Sequence, residues 1–146
     1  MENPEVGYLR DMKRIRAFEQ AVERLFAEGR IHGTTHLCIG QEAVPVGACA
    51  AIRPSDLANG SHRGHGLAIA KGLSTRRLMA ELLGRRDGYC QGRGGTQHVA
   101  SIADGFLGTN GITGGGIPVA TGAALSVKLR RTGQVVLSFF GDGATN

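Results

Sequence analysis

The chain has 146 residues, enough for one compact domain with a sizeable core. Charged residues are 20% and hydrophobic residues 41%, a globular balance that excludes a highly charged disordered chain, and no apolar run reaches the roughly 20 residues that span a bilayer. The net charge of +5 leaves a basic nucleic-acid-binding domain open, although a smaller anion such as a phosphate ester fits as well. The odd number of cysteines, three, and an amino terminus without an apolar stretch predict a cytoplasmic protein.

Helices are predicted from apolar periodicity and from capping residues. The first is amphipathic, enters near Asn3-Pro4 and stops at Gly29. Residues 42–52 are small and apolar on nearly every side, which predicts a buried helix. Further helices are predicted around Gly66–Lys71, at Thr75–Leu83 with Ser74 as N-cap, and from Pro118 to about Arg131.

Residues 84–116 hold 11 of the 24 glycines and show neither a helical nor a strand period. A loop this long inside a compact domain is usually functional. Glycine permits close backbone approach, so we expect this stretch to wrap a ligand. Two segments, Arg93–Thr96 within it and Gly114–Pro118 at its end, resemble phosphate-cradling loops, although neither is a Walker motif.

The apolar run Gln134–Phe140 predicts a buried parallel strand that ends in Gly141-Asp142-Gly143. Open α/β sheets bind ligands at the carboxyl ends of their strands, and a carboxylate there can hold Mg²⁺ with phosphate oxygens. A turn aspartate that accepts backbone N–H bonds is the alternative. Because one parallel strand needs partners, we expect an α/β fold that is incomplete within this sequence.

A second candidate site is Ser61-His62-Arg63-Gly64-His65-Gly66, where three potential cations lie within four residues. Such a cluster suits an anionic group, because an arginine can bind phosphate through two hydrogen bonds. An exposed polar loop remains the alternative. His36 and His98 stand alone beside glycine-rich turns, where a structural role is the more common one.

Several motifs occur together in a specific order. They are His36-Leu37-x-x-Gly40-Gln41-Glu42-Ala43, residues 61–66, Met79-Ala80-Glu81-Leu82-x-Gly84, residues 92–98, residues 108–112, Ile117-Pro118 and Gly141-Asp142-Gly143-Ala144-x-Asn146. From about Leu9 to Asn146 this order resembles the amino-terminal part of the alpha subunit of thiamine-diphosphate-dependent 2-oxoacid dehydrogenases, the family of the pyruvate, branched-chain and acetoin enzymes. Residues 61–66 and 88–92 look closest to the acetoin branch.

The resemblance implies a thiamine-diphosphate-binding fold, a parallel sheet with flanking helices, of whose single domain residues 1–146 form the amino-terminal part. It also implies site residues. Asp142 falls on the magnesium ligand, and Gly143 and Ala144 fall on backbone positions beside the diphosphate. Arg63 matches the arginine that binds the diphosphate, and His62 stands where many members have a tyrosine that contacts it. His36 matches a histidine that faces the substrate, and Gly111 and Thr113 lie where the backbone holds the aminopyrimidine.

The activity implied by this resemblance is cleavage of acetoin or of a 2-oxoacid such as pyruvate, with transfer of the acyl group to a lipoyl group on a partner acyltransferase. Thiamine diphosphate and Mg²⁺ are the implied cofactors, and a beta subunit, which supplies a glutamate to the cofactor, is the implied partner in a heterotetramer. An inactive remnant or a split subunit that needs a second polypeptide is the alternative. No nucleic acid and no membrane are expected as partners.

Overall fold

A computed structural model of the chain describes residues 3–146, so Met1 and Glu2 of the predicted domain lie outside the described residues. The helices are α1 (Pro4–Ala27), α2 (Ala43–Ala50), α3 (His65–Ala70), α4 (Thr75–Leu82) and α5 (Gly116–Arg130). The strands are β1 (Leu57–Ser61), β2 (Phe106–Asn110) and β3 (Val136–Ser138), and short 3₁₀ turns occur at Ile102–Asp104 and Asp142–Thr145.

The predicted helices are present, and local chemistry explains their starts. The Asn3 side chain accepts a hydrogen bond from the Glu5 N–H before α1, and the Ser74 hydroxyl oxygen accepts one from the Arg77 N–H before α4. The prediction that residues 42–52 are buried on nearly every side was wrong. Only Pro45 and Val46 of α2 are buried, because this short helix presents one face to α1 and α3.

The three strands form a parallel sheet in the order β2-β1-β3, so β1 is central. Asn59 of β1 is paired with Gly108 of β2 and with Ser138 of β3. The predicted α/β fold with a parallel sheet and flanking helices is therefore confirmed. The predicted strand at 134–140 is shorter in the structure, and two strands, β1 and β2, were not predicted.

The core lies between the sheet and helices α1, α3 and α4. Its fully buried apolar side chains include Ile15, Val22, Leu73, Leu78 and Phe106. Helix α5 packs against all three strands, but Ala120 is its only buried residue, and Leu125 and Leu129 are exposed. Within residues 3–146, no helix combines the length and apolar character needed to cross a membrane.

Candidate functional site

Parallel strands point the same way, so their carboxyl ends meet along one edge of the sheet. A cleft of about 510 Å³ opens at this edge. His62 and Arg63 follow β1, Thr113 and Gly114 follow β2, and the segment 139–144 follows β3. The cleft therefore collects the two candidate sites that lie 80 residues apart in the sequence, at 61–66 and 141–144.

Six of the eight predicted site residues line the cleft. They are His62, Arg63, Thr113, Asp142, Gly143 and Ala144. Gly111 is not among the lining residues described and lies against the side chain of Gln97. His36 is also outside the lining, but its ring contacts that of His62 edge to face, with 4.5 Å between the ring centroids.

Arg63 connects the end of β1 to the segment that carries His36. Its Nη1 donates a hydrogen bond of 2.5 Å to the Leu37 carbonyl oxygen. Thr96 and Gln97 hold the other side of this segment, because the Thr96 hydroxyl and the Gln97 amide both donate to the Thr34 carbonyl oxygen, at 2.6 and 2.9 Å. The backbone on both sides of His36 is thus fixed by side chains from elsewhere in the fold.

The cleft is positively charged on the β1 side. Partial burial lowers the pKa of His62 below its ordinary value, and the neighbouring His36 and Arg63 lower it further. These influences favour the neutral imidazole of His62 beside the guanidinium of Arg63. A neutral imidazole can still donate one hydrogen bond, so this side of the cleft can bind an anion through Arg63 and His62.

Asp142 begins the 3₁₀ turn at the end of β3. The turn is held through its main chain, since the Thr145 hydroxyl donates to the Asp142 carbonyl oxygen at 2.6 Å. Within residues 3–146, no hydrogen bond reaches the Asp142 carboxylate, so the alternative of a turn aspartate that accepts backbone N–H bonds is not what the structure shows. The described residues also form no cluster of three or more metal-ligating side chains.

His65 does not join His62 and Arg63 at an anion site, as the sequence suggested, because its side chain is 1% exposed and faces the core. Its Nδ1 lies 3.1 Å from a carboxylate oxygen of Glu19, and its Nε2 donates to the Thr96 carbonyl oxygen at 3.0 Å. Glu19 also accepts a hydrogen bond from the Cys38 thiol, at 3.0 Å. This buried network ties α1, α3 and the glycine-rich loop together behind the cleft.

Cys38 lines the cleft and was not predicted as a site residue. Burial raises the pKa of its thiol, and the adjacent Glu19 carboxylate raises it further. The thiol therefore stays protonated and acts as a small apolar wall rather than a nucleophile. Nothing in the sequence pairs Cys38 with Glu19, because the two are 19 residues apart and belong to different elements.

The glycine-rich stretch does not wrap a ligand where the sequence suggested. Residues 88–95 wrap the carboxylate of Glu81, which is fully buried. Its two oxygens accept hydrogen bonds from the backbone N–H groups of Cys90, Gly92, Gly94 and Gly95, at 2.7, 2.9, 2.7 and 3.3 Å. The supposed phosphate cradle at 93–96 thus already holds an internal anion.

Sequence comparisons find similar proteins over nearly the whole chain. A protein family described as "Dehydrogenase E1 component" matches residues 10–146. The alpha subunit of acetoin:2,6-dichlorophenolindophenol oxidoreductase from Bacillus subtilis is 48% identical over 92% of this chain, and that from Cupriavidus necator is 43% identical over 94%. The testis-specific alpha subunit of the rat pyruvate dehydrogenase E1 component is 43% identical over 95%. The chain spans 40%, 41% and 35% of the lengths of these three relatives.

Proposed function

We propose that this chain, which belongs to the dehydrogenase E1 component family, is the amino-terminal part of a single thiamine-diphosphate-binding domain in an alpha subunit. In the complete enzyme, the cleft holds the diphosphate of the cofactor together with Mg²⁺. The single observation that carries the proposal is that the strand ends bring Arg63 and Asp142, an anion ligand and a cation ligand, to the same 510 Å³ cleft.

The chemistry of these side chains fits a magnesium diphosphate. Mg²⁺ usually takes one or two carboxylates and completes its shell with phosphate oxygens and water, so Asp142 suffices as the carboxylate from this segment. Arg63 and His62, which follow the neighbouring strand β1, would bind the diphosphate. Gly143 and Ala144 would offer main chain without bulky side chains beside the diphosphate. By the family resemblance, Thr113, which lines the cleft, and Gly111, which is outside the lining described, would hold the aminopyrimidine.

Thiamine diphosphate supplies the carbanion chemistry that cleaves the bond next to a carbonyl group. This chain's own residues bind and orient. Thr96, Gln97 and Arg63 fix the backbone around His36. His36 would face the substrate and act as a proton donor. The protonated thiol of Cys38 closes the wall of the cleft without competing chemistry.

The substrate is acetoin or a 2-oxoacid such as pyruvate, and the acyl group passes to a lipoyl group on a partner acyltransferase. Acetoin is the first choice, because the Bacillus subtilis relative, which is 48% identical to this chain over the 135 aligned residues, is named for acetoin. A beta subunit completes the cofactor site in a cytoplasmic heterotetramer. The exposed apolar side chains of α5, including Leu125 and Leu129, support burial against further protein.

A titration of the assembled enzyme with thiamine diphosphate and Mg²⁺ tests the proposal. The complete alpha subunit that contains this segment is co-expressed with its beta subunit, and Asp142→Ala is compared with wild type. We expect the cofactor affinity to fall at least tenfold, with an unchanged melting temperature of the cofactor-free enzyme, because Asp142 makes no structural hydrogen bond through its carboxylate. Asp87→Ala, at an exposed turn outside the cleft, is the matched control and should bind as wild type does.

Equal cofactor and magnesium affinity in Asp142→Ala and wild type would contradict the site assignment. An assembled wild-type enzyme that binds neither thiamine diphosphate nor Mg²⁺ would instead favour the inactive remnant. Cofactor binding only after a separate second polypeptide is added would favour the split subunit.

A further inference from the structure

The contact between His36 and His62 is unusual for two ionisable rings at the edge of an anion site. The ring planes meet at 66° with centroids 4.5 Å apart, so the edge of one ring approaches the face of the other. This arrangement tolerates two neutral rings or one charged ring, whereas two imidazolium ions at this distance would repel each other strongly. Two positive charges on the pair are therefore strongly disfavoured.

The charged and titratable groups around the cleft come from three segments of the chain. Arg63 follows His62 directly on the same loop. His36 and Cys38 are on the segment before α2, and the thiol of Cys38 is protonated. Asp142 lies on the segment after β3 that lines the same cleft. Arg63 and His36 oppose a positive charge on His62, and partial burial acts in the same direction.

An anion in the cleft would favour a positive charge on His62 instead of opposing it. A diphosphate held by Arg63 places negative charge next to the imidazole, and a nearby opposite charge favours the protonated form. The magnesium ion neutralises only part of that charge, and Asp142 contributes one more negative charge of its own. Protonation would also turn a single-donor ring into a ring with two N–H donors.

We propose that His62 is neutral in the free cleft and takes up a proton when the cofactor's diphosphate binds, with the His36 ring restricting the pair to a single charge. This inference rests on the proposed function, because it assigns to the same cleft a binding step that is coupled to a proton. Cofactor binding then depends on pH through this chain's own imidazole, in addition to the ionisation of the diphosphate. A tyrosine at this position could donate a hydrogen bond but could not take up the proton.

Isothermal titration calorimetry on the assembled enzyme measures this proton directly. Thiamine diphosphate is titrated with saturating Mg²⁺ at pH 7 in two buffers of different ionisation enthalpy, and the difference in heat gives the protons taken up. Wild type should take up as much as about one proton more than His62→Gln and His62→Tyr. Because the ligand is the same throughout, its own ionisation cancels between the variants.

His32→Gln is the matched control, since His32 is exposed and lies outside the cleft, and it should take up protons as wild type does. Equal proton uptake in wild type and the His62 variants, all of which bind the cofactor, would overturn this inference and leave the proposed function standing. Loss of the extra proton in His36→Gln but not in His62→Gln would overturn the assignment to His62. Absence of cofactor binding in wild type would overturn both proposals.

Discussion

Residues 88–96 and the two segments at the cleft, 111–116 and 141–143, are all rich in glycine, but they surround different things. In the first region, the backbone N–H groups converge on the buried carboxylate of Glu81. Added Cβ atoms at Gly88, Gly92 or Gly94 would come within 2.5 Å of other atoms of the fold. The glycines of the other two segments that line the cleft are Gly114, Gly141 and Gly143, and added Cβ atoms there would meet nothing closer than 3.8 Å. Gly111 and Gly115, which are outside the lining, are crowded by side chains at 2.6 and 2.8 Å.

This difference shows why glycine content alone does not identify a ligand site. Glycine permits both a tight wrap around a protein side chain and a bare backbone beside a bound anion. The distinction lies in whether the fold already places a carboxylate among the N–H groups. In this chain, that carboxylate comes from α4, only a few residues upstream of the loop that it organises.

The largest effect is expected from Glu81→Gln, which disrupts the first region. The amide keeps the shape of the side chain but replaces one acceptor oxygen with a donor, so N–H groups of the loop lose a charged partner. Hydrogen bonds to charged groups contribute about 1.5–3 kcal/mol each, and we expect the free energy of unfolding to fall by about 3 kcal/mol. Chemical denaturation of the complete subunit measures this, with the exposed Glu23→Gln as control. An unchanged unfolding midpoint would show that the loop does not depend on the carboxylate.

A pair of alanine substitutions at glycine compares the two regions directly. The added methyl group of Gly94→Ala would lie 2.2 Å from the His98 carbonyl oxygen, so we expect a loss of about 1–3 kcal/mol in unfolding free energy. The added methyl group of Gly143→Ala meets nothing within 4 Å, so the free energy of unfolding should not change. Its methyl group enters the space next to the diphosphate, and cofactor affinity should fall about tenfold. Thermal melts and cofactor titrations on both variants check this, and the reverse pattern would mean that the two regions have been assigned the wrong way round.

A smaller effect concerns Glu42, whose carboxylate accepts a hydrogen bond from the Gly40 N–H at 3.1 Å on the cleft side of the molecule. The hydrogen bond from Arg16 lowers the pKa of Glu42 from its ordinary 4.5 to about 2. Because the folded-state pKa lies below the unfolded one, ionised Glu42 stabilises the fold above pH 4.5, and this contribution is lost as the pH falls towards 2.

Glu42→Gln should therefore melt at a lower temperature than wild type at pH 6, and the difference should shrink between pH 4.5 and 2. Melting curves across this range measure the effect, with Glu23→Gln as the control because Glu23 is exposed. A difference that stays constant down to pH 2 would mean that Glu42 acts through packing and not through its charge.

The sequence predicted the helices well and the strands poorly, for a physical reason that β1 illustrates. Leu57–Ser61 contains no β-branched residue, and its centre is Asn59-Gly60. It is a strand because it lies between two partners, and because the Asn59 amide donates to the Gly116 carbonyl oxygen at 2.6 Å. Strand β2 is also hard to predict, because it contains Gly108. In the structure, Gly108 has a φ of 127°, and the pairing of β2 with β1 is irregular between Ala58 and Asn59.

Only Asp142 was predicted at the end of a strand; the roles of the other candidate site residues came from the family resemblance, because the strands β1 and β2 that position them were not predicted. The cofactor roles of all these residues remain predictions. The buried network of Glu19, Cys38 and His65 could not be predicted in the same way. Its members come from three elements, and their proximity depends on how α1 crosses α3. Periodicity places Glu19 next to the apolar stripe of α1 but does not indicate that a histidine 46 residues away would meet it.

The central position of β1 also has a consequence for how the chain folds. The backbone N–H of Val135, beside β3, donates to Asp56, beside β1, across 79 residues of chain. Contacts between such distant residues slow folding, because the entropy of closing a long loop is lost before the strand contacts stabilise the chain. At about 5–20 residues per second, a ribosome needs roughly 4–16 seconds to make the intervening chain. Strand β1 therefore emerges with both edges open, and the cleft closes only when β3 arrives.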